Sequence, residues 1–181
     1  MENANNIVYS KNAVEFVAVA NEYCNLIETV ATYKPQTLLD FLRKLLPLLY
    51  FKVSTLPPME KISDDELEKY VSELEYNALL TKWLLKLGEY DLYHEVIDPE
   101  IQFGTETVTA SISENLLDIY QDMKDFLTSY SFGNEEVMYD SLAVCLEHFR
   151  DFWGQRLVNV LRALHQLCFS DVDWDGSKNV G

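Results

Sequence analysis

Apolar residues recur every three or four positions through five long segments of the chain, and this spacing is typical of amphipathic helices. The first segment starts after Ser10, a residue type that caps helix N-termini, and stops before Pro35. Only six glycines are present. The sequence therefore predicts an all-α fold, an antiparallel helical bundle of about five long helices. The helices are predicted over residues 11–33, 36–56, 72–88, 111–133 and 135–169.

Local signals at the helix ends support these boundaries. Ser72 with Glu75 and Ser111 with Glu114 form S-x-x-E capping boxes, in which the two side chains of each pair satisfy backbone N–H groups of the first turn. Pro47 removes one backbone donor inside the second helix, so we expect a kink in the turn before it.

Two connections interrupt the helical pattern. Residues 58–71 are rich in acidic side chains, and residues 89–110 contain no Lys or Arg and no helical periodicity. A connection as long as the second is often functional or contains short strands. Candidate strands are residues 100–103 and 107–111. We expect an N-terminal tail over residues 1–10, a single helical domain over 11–169 and a flexible acidic C-terminal tail over 170–181.

The charge of the chain excludes some classes of partner. Its 181 residues include 14 basic and 30 acidic side chains, a formal net charge of −16. Because this charge repels phosphate, we expect no nucleic acid and no membrane as partners. Apolar residues make up 48% of the chain, which is enough for a hydrophobic core and excludes a largely disordered chain.

Signals of export and membrane insertion are not found in the sequence. The N-terminus is polar, and the apolar run at residues 45–51 is far shorter than the ~20 residues that cross a bilayer. Cys24, Cys145 and Cys168 lie within helical apolar patterns, and three cysteines cannot all pair within one chain. We therefore expect reduced thiols and a cytoplasmic protein.

An acidic strip lies on the fourth predicted helix, where four carboxylates are spaced by 4, 4 and 3 residues. Their directions fall within about 80° of one another and point away from the apolar face of that helix. Such a strip could hold a divalent cation or receive a basic partner, but a solvated helix face is the favoured interpretation. The four residues of the acidic strip are Glu114, Asp118, Asp122 and Asp125.

Motifs for metal or cofactor chemistry are also not found. A di-metal bundle needs Glu three residues before His on two helices, and none of His94, His148 and His165 has it. Cys145 lies one turn before His148, but two ligands do not make a zinc site, and we expect a buried thiol beside a surface histidine. No glycines have the spacing of a phosphate-binding loop. We expect no cofactor, with a carboxylate metal site as a remote alternative.

Lys52 lies on the apolar side of the second predicted helix, where an unpaired buried ammonium would be costly. Either its side chain extends past the helix end to water, which is the favoured interpretation, or a carboxylate pairs with it. Candidates for such a carboxylate are Asp91, Glu95 and Asp122.

Arg162 and His165 are polar residues beside an apolar face of the last predicted helix. Together with Lys52 they could form a polar pocket under the 89–110 connection, suited to a small anion or an acidic side chain. Tyr50 and Tyr76 are further candidate residues of this pocket. The alternative for His165 is a hydrogen-bonded histidine at the edge of the core.

Five stretches carry a resemblance to a known family: EFVAVANEYC (15–24), LLPLLYFK (45–52), EYNALLTKWLLKLG (75–88), ISENLLDIYQDMKDF (112–126) and FWGQRLVNVLRALH (152–165). They resemble an uncharacterised all-helical bacterial family, a domain of unknown function (DUF5063) found mainly in the Bacteroidetes. The resemblance implies a cytoplasmic, all-helical protein of one domain. It implies no activity and no catalytic or binding residue.

Two functions of different classes fit these observations. The favoured one is a non-enzymatic interaction or regulatory module whose acidic surface meets a basic or amphipathic protein partner. The alternative is a small-anion binder or an enzyme that uses the pocket around Lys52, Arg162 and His165. A homodimer is a further hypothesis, since aromatic residues of the last helix exceed what one bundle can bury. These residues are Phe149, Phe152, Trp153 and Phe169.

Overall fold

The computed structural model describes residues 7–95, 108–172 and 174. Over these residues the main elements are six α-helices, one π-helical turn and a two-stranded sheet, with short 3-10 helices at Val30–Thr32 and Gly88–Asp91. The helices are α1 (Lys11–Glu28), α2 (Pro35–Ser54), α3 (Glu73–Leu87), α4 (Ile112–Ser131), α5 (Glu135–His148) and α6 (Gly154–Cys168). The strands are β1 (Leu92–Glu95) and β2 (Val108–Ser111), and the π-turn is Phe149–Trp153. Since α5, the π-turn and α6 form one uninterrupted helical rod, the predicted bundle of five long helices is confirmed.

The predicted capping residues lie at the helix ends. Ser10 accepts a hydrogen bond from the backbone N–H of Ala13 at 3.2 Å, and both halves of the Ser72/Glu75 capping box are formed. Gly88 follows α3 with a φ of +55°, a conformation that favours glycine. Pro47 lies inside α2, and the helix continues through it to Ser54.

Helix α4 lies at the centre of the bundle. It packs against α1, α3, α5 and α6, while α2 packs against α1 and α6. Leu116, Ile119 and Met123, which belong to the apolar stripe of its sequence, are fully buried. The Tyr23 hydroxyl crosses from α1 to donate to the Leu116 carbonyl at 2.7 Å, so even the polar atoms at this contact are satisfied.

The sheet forms part of the irregular connection after α3. Strand β2 agrees with the predicted strand 107–111, but it pairs antiparallel with β1, with Leu92 opposite Ser111. The other predicted strand, 100–103, lies outside the described residues. Asp91, at the start of β1, is 2% exposed and accepts hydrogen bonds from Ser111 Oγ, Ser113 N and Ser113 Oγ. This carboxylate therefore caps the N-terminus of α4, where a negative charge is favourable.

The acidic connection between α2 and α3, residues 55–72, forms a strap across α4 and α5. Asp140 of α5 is 1% exposed and accepts hydrogen bonds from Ile62 N at 2.7 Å and from Ser63 N at 3.0 Å. Asp125 of α4 accepts from Tyr70 N at 2.7 Å. Because the strap has no regular secondary structure, these backbone N–H groups have no backbone acceptor, and the two carboxylates accept their hydrogen bonds instead.

Ordered contacts extend beyond the predicted domain limits of 11 and 169. Val8 is fully buried, and its carbonyl accepts a hydrogen bond from the Tyr130 hydroxyl. At the other end the Trp174 ring lies 4.7 Å from that of Tyr90. Within the described residues, no helix combines the length and the apolar character needed to cross a bilayer.

The π-turn depends on Gly154. The backbone N–H of Gly154 bonds to the carbonyl of Phe149, and a Cβ at position 154 would collide with that oxygen and lie 2.9 Å from two atoms of the Phe149 ring. Trp153 is fully buried beside it and donates its indole N–H to the Cys145 carbonyl at 3.1 Å. The glycine is therefore a requirement of this turn.

We predict that Gly154→Ala destabilises the protein. In an ordinary helix this change raises the free energy of unfolding by about 1 kcal/mol. Here the collision with Phe149 should instead lower the free energy of unfolding by about 1–3 kcal/mol. Urea unfolding measures the difference, and Gln155→Ala at the next, exposed position is the matched control, expected to be near neutral. A Gly154→Ala variant more stable than wild type would contradict the π-turn geometry.

Candidate functional site

The π-turn places three side chains of the long helical rod beside the acidic strip of α4. His148 ends α5, Phe152 lies in the π-turn and Arg156 lies in the first turn of α6. The Arg156 guanidinium stacks over the Phe152 ring at 4.2 Å. The contact between these three side chains and the acidic strip is called the seam. Because π-turns in helices are frequent at functional sites, the seam is the first candidate site.

Three residues of the acidic strip point into that seam rather than into solvent. The side chains of Asp118, Asp122 and Asp125 are 23%, 10% and 13% exposed. Glu114, the fourth residue, is exposed. The interpretation of the strip as a solvated helix face is therefore wrong for Asp118, Asp122 and Asp125, because α4 is covered by other helices along this edge.

Asp122 pairs with His148. The distance from His148 Nδ1 to Asp122 Oδ1 is 2.5 Å, and the hydrogen bond to this carboxylate raises the pKa of His148 against the opposing effect of burial. The sequence suggested a surface histidine, but His148 is only partly exposed and pairs with a residue of α4.

Asp118 has two partners. The Tyr76 hydroxyl of α3 donates to Asp118 Oδ1 at 2.9 Å, and Arg156 Nε lies 3.5 Å from Asp118 Oδ2. Burial, and then the neighbouring Asp118 carboxylate, raise the pKa of Tyr76, so its hydroxyl stays protonated and donates. Asp125 of α4 is contacted by the strap, with Lys69 Nζ 3.4 Å from Asp125 Oδ2. Each of the three strip carboxylates in the seam therefore faces one base.

The three strip carboxylates, together with His148 and Lys69, line a cleft of about 370 Å³. Its lining residues are Lys69, Val71, Asp118, Gln121, Asp122, Asp125, His148 and Phe152. Cys145 lies behind the cleft, and burial raises the pKa of its thiol well above the usual value, which makes it a poor nucleophile. In the part of the chain that the structure describes, no three His, Cys, Asp or Glu side chains are grouped as a metal site.

A second cavity, the strap pocket, lies on the other side of the strap and has a volume of about 410 Å³. Tyr70 and Phe132 line it with ring centroids 6.0 Å apart, and Phe132 is 62% exposed. No Lys or Arg is among the described residues that line it. It also contains four exposed carboxylates, which form no ion pair within residues 7–95, 108–172 and 174: Asp65, Glu66, Glu68 and Glu136.

Lys52 is paired, but its partner is none of the three predicted carboxylates. Its side chain is 20% exposed, and Nζ lies 2.6 Å from Glu15 Oε2 of α1. The hydrogen bond from Lys52 lowers the pKa of Glu15. The favoured interpretation, an ammonium that extends past the helix end to water, is therefore wrong: α1 and α2 pack side by side and supply the counterion.

The structure does not bring the predicted anion pocket together. Arg162 donates to the His94 carbonyl and lines a separate cavity of about 300 Å³ that contains neither Lys52 nor His165. The exposed His165 ring packs on Phe169 at 4.8 Å. The tyrosines also lie apart, with Tyr50 on the Phe149 ring at 5.0 Å and Tyr76 at Asp118.

Sequence reasoning missed the residues that complete the cleft. His148, Phe152 and Arg156 are spaced by four residues on either side of a glycine, but their common direction depends on the π-turn. The buried carboxylates of Asp91 and Asp140 also look like ordinary surface charges in the sequence. Their roles appear only when the backbone N–H groups they accept from, twenty to eighty positions away, are brought beside them.

The pair of His148 and Asp122 predicts a pH-dependent stability. Because the pKa of His148 is raised above about 6.5, its value in an unfolded chain, the pair contributes fully below that pH and loses its contribution as the pH rises through the folded-state pKa. The His148 side chain is 37% exposed, so solvent screening limits the effect to roughly 0.5–1 kcal/mol.

Urea unfolding of wild type and His148→Gln should therefore show a difference at about pH 5.5 that has disappeared by about pH 9. His165→Gln is the control, because it removes an exposed imidazole that packs on Phe169. An NMR titration of the folded protein with a His148 midpoint below about 6.5 would contradict the pairing.

Comparison with known proteins gives a family and a solved structure of similar fold. The family model described as a domain of unknown function (DUF5063) matches residues 7–170. The fold is similar to the crystal structure of protein BF1032 from Bacteroides fragilis, a structural genomics target, with a TM-score of 0.81 and 43% sequence identity over 92% of this chain and 98% of that chain. No match is found among curated proteins. Because the family model covers nearly the whole helical bundle, the chain belongs to the DUF5063 family.

Proposed function

We propose that this protein is a non-enzymatic, cytoplasmic interaction module whose strap pocket binds a basic side chain of a partner protein. The observation that carries this proposal is the strap pocket itself. Its four exposed carboxylates form no ion pair within the described residues, and its two aromatic rings lie beside them. Carboxylates and aromatic faces together are the groups that bind ammonium and guanidinium ions.

The distribution of charge along the chain also supports a basic partner. Residues 1–54 contain five basic and five acidic side chains, whereas residues 55–181 contain nine basic and 25 acidic ones. The whole net charge of −16 therefore belongs to the part of the chain that contains the strap. Its field would attract a positively charged segment and speed its association.

The cleft on the other side of the strap is the weaker candidate for a basic ligand. Each of its three partly buried strip carboxylates already faces a base, namely Arg156, His148 or Lys69. A cationic ligand would have to displace one of these partners, whereas the strap pocket requires no displacement within the described residues. The cleft instead fixes the strap through Tyr70 N and Lys69.

Two further observations support the proposal. The three free cysteines, Cys24, Cys145 and Cys168, fit a reducing compartment. The histidine of the cleft, His148, is held by Asp122, and the neighbouring Cys145 thiol is buried with a raised pKa, so this pair does not make an activated nucleophile.

We predict that the protein binds a fluorescent Lys/Arg-rich peptide but not its Asp/Glu counterpart. Fluorescence anisotropy should show binding that weakens as salt rises from about 50 to 300 mM, because exposed charges are screened. The pocket variant, Asp65→Asn with Glu68→Gln and Glu136→Gln, should weaken binding at least about threefold, since each exposed ion pair contributes roughly 0.2–1 kcal/mol.

A control triple variant separates the pocket from overall charge. Glu89→Gln with Glu147→Gln and Asp151→Asn removes three exposed carboxylates elsewhere and changes the net charge by the same amount. It should change the affinity by less than about twofold, since its sites lie outside the pocket. Equal losses in both triple variants, or no salt-sensitive binding by wild type, would contradict the proposal. Phe132→Ala tests the contribution of the exposed ring separately.

A further inference from the structure

Helix α2 has a second apolar face that points away from the core. Its inner face, which includes Leu42, Leu46 and Leu49, is fully buried. On the outer face Phe41 is 40%, Leu48 41% and Phe51 58% exposed. The outer residues follow the spacing of one helical stripe, with the partly buried Leu45 between the first two: Phe41, Leu45, Leu48 and Phe51.

The outer stripe forms one wall of a groove between α1 and α2. The groove has a volume of about 390 Å³ and an apolar floor to which Leu26 of α1 and Tyr33 contribute. Tyr33 meets Phe41 edge to face, with ring centroids 5.4 Å apart. Glu22 lines it from the α1 side and Lys44 from the α2 side.

The charge around this groove differs from the charge of the rest of the molecule. Residues 1–54, which contain α1 and α2, carry equal numbers of acidic and basic side chains, while the remainder carries the net −16. Two copies of the chain would therefore repel one another where these acidic side chains are exposed. The face formed by α1 and α2 carries no net charge, so two copies can approach there without this repulsion.

We propose that two copies of the chain form a symmetric dimer through this α1/α2 face. A two-fold axis parallel to the helices places α1 of one copy opposite α2 of the other. Glu22 of each copy then lies on the same side as Lys44 of its partner. Lys44 Nζ lies 2.6 Å from Asp40 Oδ2 of its own chain, and in the dimer it would lie between Asp40 and Glu22 of the other copy. The rim of the groove is therefore complementary to itself. The two outer stripes cover each other at the centre of the contact, where interface cores are apolar.

A dimer through this face differs from one built on the aromatic residues of the last helix. Trp153 is fully buried in the core, and Phe149 packs on Trp153 and Tyr50. Phe152 lies in the cleft beneath Arg156. Phe169 is 68% exposed and packs on His165, so all four aromatic residues that suggested a homodimer in the sequence have contacts within their own chain.

Sedimentation equilibrium and light scattering test the dimer directly. Wild type should be dimeric at micromolar concentrations, and its dissociation constant should fall as salt rises, because salt screens the repulsion between two chains of −16. Leu48→Asp should weaken the dimer at least about tenfold, since it places a charge in the apolar centre. Leu85→Asp, at an 81% exposed leucine on α3, is the matched control and should leave the dimer unchanged.

A charge exchange tests the orientation of the two copies. Glu22→Lys and Lys44→Glu, each alone, place like charges opposite one another in a homodimer and should weaken it. A mixture of the two variants should form heterodimers, because each rim contact then joins opposite charges. A wild type that stays monomeric, an equal loss in Leu85→Asp, or no preference for heterodimers would overturn the proposal.

The dimer and the basic-partner function can fail separately. Leu48 lies on α2, outside the strap pocket, so a monomeric Leu48→Asp variant should still bind the Lys/Arg-rich peptide with the affinity of wild type. Circular dichroism and thermal unfolding of each variant show that the fold is retained.

Discussion

The burial of α4 among four other helices is the constraint on which the rest of the structure depends. Its apolar stripe is buried in the core. The same helix carries acidic residues along one edge, and α3, α5 and α6 pack over that edge. Asp118, Asp122 and Asp125 therefore cannot all face water, and each must find a partner inside the seam. The side chains that meet them are Tyr76 of α3, His148 of α5, Arg156 of α6 and Lys69 of the strap, so the same polar contacts hold these elements in register.

The strap is a second consequence of placing carboxylates inside the bundle. Asp140 and Asp125 accept backbone N–H groups from its two ends, which keeps a segment without regular structure close to the helices. The carboxylates of the strap itself, between these anchors, remain exposed. The acids that are buried or partly buried thus hold the strap in place, whereas the acids of the strap face solvent. The net charge contains both groups and does not distinguish them.

Much of the fold follows from local sequence. The helices begin at Ser10 and Ser72 because these side chains accept the N–H groups that a first turn leaves unpaired, and α3 ends at Gly88 because its positive φ suits glycine. The arrangement of the candidate site depends far less on local sequence. The partner of Lys52 proved to be Glu15, 37 positions away, because helix packing and not periodicity decides which charges meet.

The sequence by itself determined the number of helices, most of their ends and the face each one buries, since these depend on spacing and on contacts within one turn. Only the tertiary structure decided which of the acidic side chains are buried and which are exposed to solvent. It also decided that Gly154 marks a π-turn and not a helix end, and that the second apolar face of α2 is left uncovered. The physical reason is that burial and ion pairing depend on distances between elements, and a helical pattern carries no information about its neighbours.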